Sequence, residues 1–165
     1  MQNLFRHLCQ LGASLAVAFA AVPGHAADYS APAPAPAAAA DKLGAARTQI
    51  AAKNWPAAIT ELKKVNDTGS ADWNNLMGYS LRKGATPDYA GAEKHYNEAL
   101  RIDPAHRGAL EYSGELYLMM GELPKAEQRL GALEKVCGMK CEEYGDLKKA
   151  IASYKSSGNR YVAYP

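Results

Sequence analysis

Ala58, Ala92 and Ala126 are separated by 34 residues and then by 34 again. Trp55, Tyr89 and Leu123 keep the same spacing, as do Leu62, Tyr96 and Leu130, and then Val65, Ala99 and Leu133. Four columns of matched size at one period mean a stack of similar supersecondary units, each burying its neighbour's apolar face. The apolar spacing inside each unit is helical. Tyr89, Ala92, Tyr96, Ala99 and Leu100 share one helix face, and Leu110, Ser113, Gly114 and Tyr117 share another. Pro56 and Pro124 fall in the first turn of second helices, where a missing N–H costs nothing. Ser70 and Asp103 are placed to cap the first helices of units two and three. Gly78 and Gly114 are expected to face Ala92 and Ala126, letting paired backbones approach closely.

The third unit reads LEYSGELYLMMGELPKAEQRLGAL, with Gly114, Tyr117, Gly121 and Ala126 in register and Leu110 at the first large position. The second carries Gly78, Ala92, Tyr96, Ala99 and Pro104, with two extra residues in its turn (GATPDY). The first is degenerate, with Ala46 in place of the glycine. These residues resemble tetratricopeptide repeats over about 95 residues. The resemblance implies an all-α, right-handed helical-hairpin solenoid over residues 41–155. Its units run about 41–69, 70–104 and 105–138, and a capping helix runs about 141–155. In that last helix Tyr144, Leu147, Ile151 and Tyr154 form one apolar stripe, suited to covering the open end of a stack.

In the family the first helices line a concave groove that meets another protein. Carrying that register over places Leu43, Arg47 and Ile50 in the groove from unit one. Unit two contributes Asn75, Tyr79 and Arg82, and unit three Glu111, Glu115 and Met119. An aromatic, a Met and mixed charge suit a partner peptide or helix. The two-carboxylate clamp of some relatives needs Lys and Asn where Arg47, Tyr79 and Glu115 stand, so that specificity is not expected here. The resemblance therefore implies a scaffold or assembly adaptor.

Signatures of catalysis are missing from the sequence. There is no G-x-S-x-G elbow and no G-x-x-x-x-G-K-[ST] or G-x-G-x-x-G loop. His95 and His106 fall at unrelated points of the repeat, which reads as two surface or rim histidines. Glu142 and Glu143 are adjacent and diverge on a helix, a poor arrangement for paired acid–base work. No enzymatic activity and no cofactor are expected.

Residues 1–26 have a basic start (Arg6, His7), an apolar run from Leu11 to Val22, and small residues at Gly24 and Ala26. This is the pattern of a secretory signal cleaved after Ala26, with an apolar run too short to span a bilayer. A periplasmic or secreted protein is expected, with no stable membrane insertion after cleavage. Loss of Arg6 leaves 18 of the 19 Lys and Arg against 17 Asp and Glu. That balance argues against nucleic-acid binding. Residues 27–40 alternate Ala and Pro and read as an extended linker, and residues 156–165 as a tail without periodicity. Cleavage also removes Cys9, leaving Cys137 and Cys141 in VCGMKCEEY. Two cysteines in an oxidising compartment favour a disulfide spanning a helix–turn–helix corner at Gly138. The alternative is a soft-metal site, most plausibly for Cu(I), formed by Cys137, Met139 and Cys141, or a thiol-redox accessory role.

Overall fold

The computed structural model describes residues 41–161. The signal-like segment 1–26, the Ala/Pro stretch 27–40 and residues 162–165 lie outside the described residues. Among the described residues seven helices follow one another: α1 (Gly44–Ala51), α2 (Trp55–Val65), α3 (Ala71–Lys83), α4 (Tyr89–Ile102), α5 (Arg107–Met119), α6 (Leu123–Cys137) and α7 (Glu142–Ser156). They pack as hairpins α1/α2, α3/α4 and α5/α6. The first helices α1, α3 and α5 touch in succession, and α7 lies against both α5 and α6. This is the all-α hairpin stack that the repeat implies.

Local chemistry sets the helix ends. Asn54, Ser70 and Asp88 accept a hydrogen bond from the backbone N–H three residues on, at the starts of α2, α3 and α4. Asp103 does not cap α5 as the spacing suggested. It closes α4, and its carboxylate accepts from Ala105 N at 2.9 Å. His106 takes the capping position, its Nδ1 accepting from Ala109 N at 3.0 Å. Pro56 and Pro124 sit in the first turns of α2 and α6. Helix α6 stops at Gly138, whose φ of 72° and ψ of −178° define a conformation that glycine alone adopts readily.

Three apolar clusters run along the stack. Leu43, Ala46, Leu62, Trp73 and Met77 join the first hairpin to α3. Trp73 also donates its Nε1–H to Leu62 O at 2.7 Å, tying the end of α2 to the next hairpin. Ala92, Tyr96, Ala99, Ala109 and Leu116 join α4 to α5. The third cluster gathers Leu110, Tyr117, Ala126 and Leu133 with Tyr144, Leu147, Ile151 and Tyr154. The stripe read from the sequence of α7 is therefore the face that covers the last hairpin.

The two small residues in first helices have different neighbours. A Cβ on Gly78 would lie 2.9 Å from Tyr96 Cε1 and 3.1 Å from Ala92 O, so α3 and α4 meet there at backbone distance. A Cβ on Gly114 would meet Leu147 Cδ2 at 2.5 Å. The expected partner, Ala126, is not among its nearest atoms, and the space at Gly114 is filled by the capping helix.

Candidate functional site

The helices α1, α3 and α5, with α7 beyond them, enclose a concave cavity of about 640 Å³. Tyr79, Arg82, Glu111 and Glu115 line it, as the register from the sequence placed them. Ile50 and Trp55 close one side, Asp146 and Lys149 of α7 the other, and Tyr112 and Tyr161 the wall between. One turn separates Tyr79 from Arg82 and another separates Glu111 from Glu115, so each pair projects from one face of its helix.

Aromatic rings form the floor. Trp55 meets Tyr79 edge-on with centroids 5.7 Å apart, and Tyr79 leans on Tyr112 at 4.7 Å. The Arg82 guanidinium lies 5.5 Å from the Tyr79 centroid and 5.6 Å from that of Tyr112, in cation–π range of both. Its Nη1 is 2.6 Å from Glu115 Oε2, which joins α3 to α5 through a charge pair. Burial raises the Tyr79 hydroxyl pKa and pushes that of Tyr112 up to about 12.

Several sequence-derived groove positions are corrected by this geometry. Arg82 is a structural member of the floor and not an exposed contact: its side chain is 1 % exposed. Leu43 belongs to the first core cluster. Asn75 is buried, and its Nδ2 lies 3.1 Å from where a Gly108 Cβ would stand. Arg47 sits outside the cavity and reaches Asp41 at 3.5 Å and Asp72 at 3.4 Å. Met119 lines a second hollow of about 500 Å³, formed with Tyr89, Tyr154 and the residues after α7. The two histidines are partly buried at the rim of the stack, each with a polar partner. His95 Nδ1 is 3.0 Å from Asn74 Oδ1, and His106 Nε2 is 2.9 Å from Asp72 Oδ1. Sequence reasoning missed Tyr112 and Tyr161. Tyr112 could have been found as the neighbour of Glu111 on α5. Tyr161 stands in an aperiodic segment with no such signal.

Glu111 is the electrostatic exception of the cavity. Burial, with the negative charges of Glu115, Asp146 and Glu143 nearby, pushes its carboxyl up to about 8, and Arg82 offsets this only partly. At neutral pH it is largely protonated and can donate a hydrogen bond. Between the ordinary carboxyl value of 4.5 and about 8, the folded chain keeps a proton that the unfolded chain releases. Stability from this group is full below the lower value and falls as pH rises through the window. Because the side chain is only half-buried, solvent screening reduces the effect to on the order of 1–2 kcal/mol. Glu111→Gln is expected to raise the melting temperature by several degrees at pH 9 and to leave it unchanged at pH 4. Equal shifts at both values would contradict the assignment.

Away from the cavity, Cys137 and Cys141 bracket the α6–α7 corner with Cα atoms 5.9 Å apart and sulfurs at 2.09 Å. Glu143 is close enough to form a three-residue cluster with them, while Met139 is 66 % exposed. Among the described residues no helix is long and apolar enough to cross a membrane.

Residues 86–136, covering the α4, α5 and α6 region, match the tetratricopeptide repeat family. No curated protein matches the chain.

Proposed function

We propose that this tetratricopeptide-repeat-containing chain is an exported interaction module, a scaffold or assembly adaptor that holds a segment of another protein on its concave face. Repeats of this kind mediate protein–protein contacts. The observation that carries the reading is the cavity itself, an aromatic floor across three hairpins with Lys53 and Lys83 at its edge. Neither lysine has an acidic partner among the described residues. Aromatic residues rimmed by charge are the usual composition of a protein-binding surface. No catalytic role is assigned to the cavity, where two of the charge pairs are structural. Arg82 pairs with Glu115, and Lys149 lies 2.9 Å from Asp146. Export to the periplasm rests on residues 1–26.

Tyr79→Ala with Arg82→Ala is not a clean probe of binding, since Arg82 is part of the floor. The rim pair is better. Lys53→Glu with Lys83→Glu is expected to abolish capture of a partner from a periplasmic extract while leaving the melting temperature within a degree or two. Full capture by that variant would reject the concave face as the site.

The staple between α6 and α7 belongs to the same reading. The Cys137–Cys141 geometry and the oxidising compartment proposed for the chain both support a disulfide, which would hold the capping helix at a fixed angle. By the chain-entropy model so short a loop contributes about 2 kcal/mol. Native protein is expected to show no free thiol, and Cys137→Ser to melt several degrees lower. Two titrating thiols with bound copper in protein isolated without chelator would favour the soft-metal alternative at Cys137, Met139 and Cys141.

A further inference from the structure

We propose that the concave face accepts a tyrosine-bearing peptide segment, and that residues 157–161 of this same chain occupy it in cis. The inference rests on the concave face being the interaction site. Helix α7 ends at Ser156, and the chain then reverses. Gly158 and Asn159 adopt left-handed φ values of 71° and 62°. Asn159 N donates to Tyr154 O at 2.9 Å, and Arg160 Nε donates to Ser157 O at 3.3 Å. That turn sends the backbone back over the stack and lays Tyr161 on the concave face.

Tyr161 is the residue shared by the two hollows. It lines the cavity that holds Tyr79 and Arg82, and also the second one that holds Met119. Its ring packs against the last core cluster, and it lines the cavity with Arg82, whose charge acts on its hydroxyl. Burial pushes that hydroxyl up to about 12. The register of the repeat predicts one groove running from Tyr79 to Met119. The structure shows two hollows with a tyrosine between them. A strap that leaves would join them and uncover the face of Arg82 now given to Tyr161. The same contacts define the ligand: an aromatic ring ending in a hydroxyl, carried on a short segment of chain. A tethered segment competes at an effective concentration in the millimolar range, so it masks the site from weak ligands and yields to a strong one.

The test uses the full chain and a labelled peptide of residues 157–165 (SGNRYVAYP), read by fluorescence anisotropy. Two variants release the strap by different means. Tyr161→Ala removes the ring that occupies the face. Gly158→Val leaves every lining residue in place but strains the turn, because a β-branched residue rarely adopts a positive φ. Both are expected to bind the peptide at least tenfold more tightly than the parent, and a peptide with its first tyrosine replaced by alanine is expected not to bind. Equal binding to parent and variants, or to neither, would overturn the proposal. So would a parent that dimerises with rising concentration and becomes monomeric on Tyr161→Ala, since the segment would then serve a second copy. Failure here with successful capture of a partner by the parent removes the strap and leaves the adaptor reading intact.

Discussion

Glu115→Ala is expected to destabilise the fold by about 3–5 kcal/mol, a loss out of proportion to a residue read from the sequence as an exposed groove contact. Removing the carboxylate leaves the Arg82 guanidinium with a side chain 1 % exposed and without its acidic partner. Its Nε has no hydrogen-bond acceptor among the described residues, so the charge pair at Nη1 and the two tyrosine rings are the contacts that hold it. Replacing both partners, as Arg82→Met with Glu115→Leu, removes the stranded charge and is expected to cost less than Glu115→Ala alone. Thermal or denaturant melts of Arg82→Met, Glu115→Leu and the double variant form a cycle that isolates the coupling. A coupling energy near zero would show that α3 and α5 do not depend on this pair.

The second large effect lies where α3 meets α4. Gly78→Val should cost about 3 kcal/mol or more, because the new carbon atoms would crowd Tyr96 and the carbonyl of Ala92. The tyrosine is fully buried and the carbonyl is backbone, so neither can move aside cheaply. Ala92→Leu, on the opposite side of the same contact, should fail for the same reason. Gly145 supplies the control. It lies inside α7 with open space where a Cβ would stand, so Gly145→Ala should stabilise by up to about 1 kcal/mol through helix propensity. Melting curves that ranked Gly78→Val and Gly145→Ala together would contradict the close approach of the two helices.

The fold was legible because a stack repeats its buried contacts. Ala58, Ala92 and Ala126 are each fully buried in second helices, and a period of 34 marks them without any structure. The site was legible only in part, since periodicity tells which helix face looks inward but not how deep each position lies. Tyr79 and Glu111 were placed correctly on the concave side. Arg82 sits on the same face, yet Tyr79, Tyr112 and Glu115 close over it, and no single-helix pattern reports on a neighbouring helix. Asn75 and Leu43 sink for the same reason. Residue preference points to Asp103 as the cap of α5, whereas the helix starts three residues further on, behind His106. Tyr161 was out of reach altogether. It belongs to a turn set by Gly158 and Asn159, and only the path of the chain brings it to Arg82.

Partner binding is assigned to the concave face and not to the outer helices. The most direct measurement is site-specific photo-crosslinking in intact cells. A photoreactive residue replaces Lys83, at the edge of the cavity, or Arg101, which is exposed on α4 and does not line it. A discrete heavier adduct is expected from position 83, absent from position 101, and stronger when Tyr161→Ala frees the face. A discrete adduct from position 101 with none from position 83 would contradict that assignment.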